Sequence, residues 1–344
     1  MNCKQILSLT ASLLVLTALL APVANAAERK HIMRIGCVTV APHPQSVGMD
    51  EFKKLLEAKL GDRLEVQVYH ASQLGTVPQH LQGLQNGTIQ CASLPSGFIS
   101  TIVPTVSIVD LPFFFPNTEW VFKMFNKGYV DPLYDALLAR GMVLAAANTA
   151  TDREIFSTKP IAKLEDLPGM RIRTYNSPIN QQAIGSFGAA SVNIDTSEVA
   201  VAIQQGTIDG IETDLLLWYA LKLFKANYRL EGYHGAVIML ITISKRWLDT
   251  LPADMQQIIL ETAKEVPPRV EAFLKNTLLP NIEKDPAAKV IDVPAAPGMI
   301  EAMKERSFKV HDVYLQGGPE ARKTYDYYKD LLARYPNGDA PPKR

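Results

Sequence analysis

Gly169-Met170-Arg171-Ile172-Arg173-Thr174-Tyr175-Asn176-Ser177-Pro178 opens the stretch whose reading decides the fold, and Gln205-Gly206-Thr207-Ile208-Asp209-Gly210-Ile211-Glu212-Thr213-Asp214 closes it. Arg171 to Tyr175 reads as a strand, Asn180 to Phe187 as a helix, and Ser191 to Ile194 as a strand. Ser197 to Gln205 follows as a helix, with Ser197 as its N-cap and Glu198 near the positive end of its dipole. Ile208 to Glu212 is the next strand. Arg173 stands out because it sits within an apolar strand, between Ile172 and Thr174. Arg171 faces the same side by the two-residue period of a strand, and the sequence does not choose between them.

Strand and helix also alternate upstream. Ile32 to Thr39 is a strand pattern, Val47 to Leu60 carries apolar residues at helical spacing, and Leu64 to Tyr69 alternates. A short helix from Gln79 to Gln85 and a strand from Ile89 to Leu94 complete a β-α-β-α-β opening, which implies a parallel sheet with right-handed crossovers. Ligands of such sheets lie beyond the carboxyl ends of the strands. The loops Val40–Gln45, His70–Pro78 and Pro95–Phe98 are therefore candidate walls of a site, with His43 and His70 expected as solvated loop histidines.

Leu111-Pro112-Phe113-Phe114-Phe115-Pro116 is expected as core or as a connection pinned by prolines. Downstream, Leu215 to Phe224 reads as a very apolar helix and Gly235 to Ser244 as a strand long enough to join two domains. Pro252 to Val266 is a helix that Pro267-Pro268 should kink or break, because proline lacks an amide donor and clashes with the preceding turn. Two further helices, from Ile300 and from Pro319, lead to a polar, Pro-rich end from Pro336 to Arg344 that is expected to be flexible. No internal sequence repeat is evident.

The N-terminus reads as an export signal. Lys4 precedes an apolar run from Ile6 to Leu20, and Ala24-Asn25-Ala26 is a small-residue cleavage site. Cleavage leaves roughly 320 residues, enough for two domains with separate cores. With 35 basic and 35 acidic residues and no basic block, neither nucleic acid nor an anionic membrane is an expected partner. Cys37 and Cys91 lie in strand-like runs and are expected as buried free thiols, since neighbouring parallel strands rarely give disulfide geometry. No metal-ligand spacing and no cofactor motif occurs, and the nucleophile-elbow, phosphate-loop, zinc-protease and dinucleotide patterns are missing. A binding protein is therefore favoured over an enzyme.

Several segments, in order and spacing, resemble the substrate-binding subunits of tripartite ATP-independent periplasmic (TRAP) transporters of the DctP type. They are His70-Ala71-Ser72-Gln73-Leu74-Gly75, Leu84-Gln85-Asn86-Gly87-Thr88-Ile89-Gln90, Leu167-Pro168-Gly169-Met170-Arg171-Ile172-Arg173, Ser197-Glu198-Val199 and Gln204 to Glu212. The resemblance implies an α/β, two-domain periplasmic binding protein of type II-like architecture, with a cleft between domains, hinge strands and a long domain-spanning helix. On that reading residues 1–26 are the signal peptide. Residues 27–150 with about 239–280 form one domain, and 151–238 with about 281–335 the other. It also implies capture of a small organic acid and delivery to a membrane permease driven by an ion gradient. A monomer is expected.

The family's carboxylate-binding arginine falls on Arg173, and a further one, twenty positions earlier, on Arg153. Thr213, Asn176, Thr196 and Phe98 fall at positions that often face ligand. A guanidinium makes two parallel hydrogen bonds to a carboxylate, which lysine cannot reproduce. Many members have Asn-Pro after the Glu where this chain has Thr213-Asp214. An acid there repels a second carboxylate, so with Phe98 and Trp218 or Tyr219 nearby the reading leans to a monocarboxylate with an apolar or aromatic body. Alternatively Asp214 caps the helix that starts at Leu215, which leaves a C4-dicarboxylate open. A receptor serving a membrane sensor and an exported α/β enzyme are the competing functions.

Overall fold

The structure is a computed structural model that describes residues 30–232 and 234–343. The expected signal segment and its cleavage site lie outside the described residues. Eleven strands occur among them: β1 (His31–Cys37), β2 (Leu64–Tyr69), β3 (Cys91–Pro95), β4 (Met142–Thr149), β5 (Glu154–Ser157), β6 (Arg171–Thr174), β7 (Ala190–Asn193), β8 (Gly210–Thr213), β9 (Tyr228–Leu230), β10 (Ile238–Ser244) and β11 (Ile291–Val293). They form two sheets, ordered β2-β1-β3-β10-β4 and β11-β9-β5-β8-β6-β7.

The sheets share one plan. β1 pairs parallel with β2 and β3, and β10 runs antiparallel between β3 and β4. Likewise β6 pairs parallel with β7 and β8, and β5 runs antiparallel between β8 and β9. In each sheet the antiparallel strand is the one that follows directly on a crossing from the other sheet. Apolar clusters cover both faces of each sheet, so β10 is buried along its whole length and reads as a continuous apolar run.

The chain passes between the sheets just after β4 and again just before β10. The two crossings run side by side, where Arg153 and Gly235 form an antiparallel bridge. A third connection is the helix Ala253–Phe273, which buries Met255, Ile259, Ala263, Val266 and Val270 against the first sheet. A π-helical turn (Leu274–Leu278) and a last segment (Leu279–Lys284) continue it, and Leu274, Leu278 and Ile282 pack with the second sheet's cluster. Contrary to expectation, Pro267 and Pro268 do not break this helix. The packed apolar face outweighs the two lost amide donors, and the irregularity appears one turn later as the π turn.

Three other expectations need correction. Leu215–Ala220 is a shorter helix than the apolar run suggested. Ser197 is not a cap; it lies inside a 3-10 turn (Thr196–Glu198) that precedes the helix Val199–Gln205. The last helix, Pro319–Arg334, sits on the first sheet's side, where Tyr328 and Leu331 join Phe115 and Phe125 in one cluster. The Pro-rich end follows it there. Lys343 N donates to Lys127 O, Lys127 Nζ to Gly338 O, and Tyr129 Oη to Pro341 O, so these bonds and the buried Ala340 hold it down. Leu111 and Phe115 are core, as read, and Cys37 and Cys91 are buried free thiols on neighbouring strands.

Candidate functional site

A cavity lies at the carboxyl ends of β1, β3, β6 and β8, between the two sheets. The loop after β1 supplies Val38, Thr39 and His43; the end of β3 and the following helical turn (Ser96–Ile99) supply Pro95 and Phe98. From the other side come Arg173 and Tyr175, Thr196, and Thr213 with Asp214. Arg153, Val237 and Met239 arrive on the crossing strands. The enclosed space is about 20 Å³, room for about one water, so a larger occupant requires the two halves to part. Beside it a second cavity of about 340 Å³, lined by Asn176, Asn193, Asp195 and Glu198, shares Phe98 as a common wall.

The two arginines are both buried, each 1% exposed, yet they differ in charge balance. Arg153 Nη2 donates to Asp110 Oδ1 at 2.7 Å, and Nε and Nη2 donate to Ala236 O at 3.2 and 3.0 Å. Its Nη1 lies 3.7 Å from Glu212 Oε2. Burial opposes its charge, but Tyr175, Glu212 and Asp110 raise it above the ordinary arginine value. Glu212 in turn accepts from Asn180 Nδ2 and lies 3.4 Å from His234 Nε2. Burial works to raise the Glu212 carboxyl, and Arg153, with His234 and Asn180, more than offsets it, leaving Glu212 below its ordinary value.

Arg173 has no such partner. Its Nε donates to Ile194 O at 2.9 Å and its Nη2 to Thr196 Oγ1 at 3.3 Å, both neutral acceptors. It makes no ion pair among the described residues. Burial pulls its guanidinium down to about 10. Tyr175 stands between the arginines, with Arg153 5.1 Å and Arg173 5.8 Å from its ring centre. Phe98 packs on the same ring at 4.7 Å. Gly97 is needed for that approach, because a Cβ there would lie 2.1 Å from Tyr175 Cε2.

Of the residues singled out from sequence, Arg173, Arg153, Thr196, Thr213, Phe98 and Asp214 meet at this cavity. Asn176 is exposed and lines the neighbouring one. Trp218 does not reach either: it is fully buried, stacks on Phe156 at 5.4 Å and donates to Ala226 O. On the helix Leu215–Ala220 it is Leu217 that lines the cavity, and Trp218, about 100° further round, faces the core behind β8. Arg171 lies at the other end of β6, exposed and paired with Asp209. Asp214 caps its helix, with Oδ1 accepting from Leu216 N and Leu217 N, and lines the cavity as well. Burial pushes its carboxyl up to about 6.

Sequence reasoning missed Tyr175, although alternation puts it on the face of Arg173, and it missed Asp110 and Glu212 as charge partners. It also misplaced His43, which is fully buried in the cavity wall; His70 is the partly exposed one, bonded to Asp50. Among the described residues no His, Cys, Asp and Glu group could hold a metal ion, and no helix is long and apolar enough to cross a membrane. A larger cavity of about 570 Å³, near Phe122, Pro267 and Lys343, contains neither arginine.

Two α/β halves on crossing strands, closing over a buried cation, define a two-domain binding protein of type II-like fold. Residues 35–316 match the family model of bacterial extracellular solute-binding proteins, family 7 (DctP). The chain belongs to that family, and it is a solute-binding protein and not an enzyme. A solute-binding protein of Verminephrobacter eiseniae is 30% identical over 241 residues, covering 68% of this chain and 70% of that one. The 2,3-diketo-L-gulonate-binding periplasmic protein of Escherichia coli is 27% identical over 235 residues, 68% of this chain and 72% of its own. Among solved structures, a TRAP periplasmic solute-binding protein from Desulfovibrio salexigens with bound orotic acid superimposes with a TM-score of 0.82 at 26% identity. That match covers 89% of this chain and 99% of the other.

Proposed function

We propose that this protein is the periplasmic receptor of a TRAP transporter, a monomer that captures a small monocarboxylic acid and presents it to an ion-gradient-driven membrane permease. The observation that carries this is Arg173, a buried guanidinium held by neutral acceptors and without a counter-ion among the described residues. An unpaired buried charge is costly, and a ligand carboxylate is the group that best relieves it. Arg153 supports from behind, already neutralised by Asp110. Thr196 and Thr213 add polar contacts, and Asn176 meets the outer part of a larger ligand.

A single uncompensated cation among the described residues of the cavity wall argues for one carboxylate. A C4-dicarboxylate would bring its second charge towards the buried Asp214, with Arg153 committed elsewhere. The apolar walls Val38, Pro95, Phe98 and Leu217 suit the face of a ring. The relatives named for 2,3-diketo-L-gulonate and bound to orotic acid support an acid that also carries polar oxygens. The proposed lobes follow the two sheets, with the crossings at Arg153 and Gly235 as hinge. Ligand that bridges the lobes selects the closed form by binding it more tightly.

The test is a thermal-shift screen of the purified protein against small organic acids. A ligand at about 100 times its dissociation constant stabilises by about 2.7 kcal/mol, a readable shift. Hits among carboxylates that vanish in Arg173→Ala support the reading. Hits confined to amines or neutral sugars, or indifferent to Arg173, refute it.

A further inference from the structure

We infer that His43 and Asp214 are a specificity pair that reads a hydroxyl group on the captured acid, His43 Nε2–H donating to the hydroxyl oxygen and Asp214 accepting its proton. The inference rests on the carboxylate reading above and adds the second half of the ligand to it.

The bonds of the histidine fix its tautomer. His43 is the N-cap of the helix Pro44–Leu60, and its Nδ1 accepts from Gln45 N at 3.2 Å. A ring nitrogen that accepts carries no proton, so in the neutral ring the proton is on Nε2. Burial pushes the His43 imidazole down to about 3, which keeps the ring neutral. Nε2 is therefore a donor. It is buried, it belongs to the cavity wall, and it has no hydrogen-bond partner among the described residues. Buried donors without partners are uncommon in folded proteins, and this one differs from the other partnerless histidine nitrogens here in lining the cavity beside the buried Arg173.

The nearest acidic oxygen is Asp214 Oδ1 at 3.9 Å, too far for a hydrogen bond. That oxygen already takes the amides of Leu216 and Leu217, while the carboxylate as a whole lines the same cavity. A donor and an acceptor at this separation are bridged by one oxygen lying about 2.8 Å from each. A hydroxyl satisfies both at once. A ligand carbonyl would satisfy His43 alone, and a second carboxylate would face Asp214 charge to charge.

The ring is also fixed in place, as specificity demands. His43 lies between Pro42 and Pro44, and its loop is tied by Thr39 Oγ1 to Gln45 Oε1 at 2.7 Å and by Gln45 Nε2 to Ser93 O on β3. A site that desolvates polar groups for a hydroxyl rejects the analogue lacking it, since those groups are then left unpaired.

The experiment is titration calorimetry with five acids: D-glucuronate, D-galacturonate and D-gluconate against cyclohexanecarboxylate and hexanoate, which lack hydroxyls. Wild type, His43→Phe and Asp214→Asn are compared, with near-ultraviolet circular dichroism checking each fold. The asparagine keeps the cap, so it reports even where the phenylalanine variant fails to fold. The wild type is expected to prefer its best hydroxylated acid over cyclohexanecarboxylate by about a hundredfold, and either substitution to shrink that ratio tenfold or more. Arg173-dependent binding of cyclohexanecarboxylate equal to that of every hydroxylated acid overturns the pair while leaving the carboxylate reading intact. So does an unchanged ratio in both variants. Binding of none of the five, while another carboxylate from the screen binds through Arg173, overturns the pair alone; no carboxylate bound in either experiment overturns the carboxylate reading and the pair with it.

Discussion

Arg173→Lys is the substitution that bears hardest on the proposed clamp. In the native site Nε is held by Ile194 O and one Nη2 proton by Thr196 Oγ1, which aims the remaining N–H groups at the cavity. Hydrogen bonds to charged groups are worth roughly 1.5–3 kcal/mol each. Lysine keeps a charge but gives up the two-pronged geometry, so one such bond is lost, and affinity should fall about 10- to 150-fold. A second effect follows from burial, which lowers the guanidinium to about 10. The same burial would lower a lysine, whose ordinary value already lies below that of arginine. The ammonium that binds carboxylate is then lost at lower pH than the native guanidinium. Calorimetry of the best acid from the screen, at pH 6.5 and pH 8.5, measures both effects. The variant should weaken further between the two pH values, and the wild type should not. A dissociation constant within threefold of wild type at both pH values would falsify the clamp.

The groups around the clamp make their own contributions to stability and closure. The Asp214 carboxyl has a folded-state value near 6, above its unfolded value, so its stabilising contribution is present below about pH 4 and lost as pH rises through about 6. Asp214→Asn, which keeps the cap, should therefore stabilise the protein at pH 7.5 by something on the order of 2 kcal/mol, read as a higher melting temperature, and much less at pH 4.5; equal shifts at both pH values would count against a buried, high-pKa acid. Arg153→Ala leaves Asp110 and Glu212 buried without their cation and should cost about 3–5 kcal/mol in urea unfolding, whereas a cost below about 1 kcal/mol would mean the network is not integral. Gly97→Ala places a methyl against Tyr175 and should weaken ligand binding by hindering closure, with stability of the ligand-free protein nearly unchanged; small-angle scattering with and without ligand reads the loss of compaction. Trp218→Phe removes the bond to Ala226 O and part of the stack on Phe156, so it should lower stability by about 1–3 kcal/mol while ligand affinity stays within twofold; a large affinity loss would return Trp218 to the site.

What was legible in the chain, and what was not, divides along the range of the interactions. Arg173 could be singled out because a charge in an apolar strand is a local anomaly. Its separation from Arg171 could not, since both share a face, and only the position of β6 in its sheet puts one end in the cleft and the other in solvent. The family resemblance makes Arg153 a second ligand arginine, but Asp110 lies 2.7 Å away, at the end of a 3-10 helix 43 residues earlier. Trp218 failed for a related reason: it is close to Asp214 along the chain, but Leu217 takes the cavity-facing position of that helix and Trp218, about 100° further round, packs into the core.

By itself, the sequence determined the alternation of strands and helices, the absence of a catalytic pattern and the family, because periodicity, turn residues and motif spacing are properties of neighbouring residues. The shared plan of the two sheets was decided only in three dimensions, since β10 returns to the first sheet after the whole of β5 to β9 has been laid down in the second. So was the course of the helix through Pro267 and Pro268, where burial of one face overrode a local rule. The same holds for the charge states in the cleft. Whether a guanidinium is free, a carboxyl raised or an imidazole kept neutral depends on which groups the fold brings within a few ångströms and how much water it removes, and neither quantity is written in the order of residues.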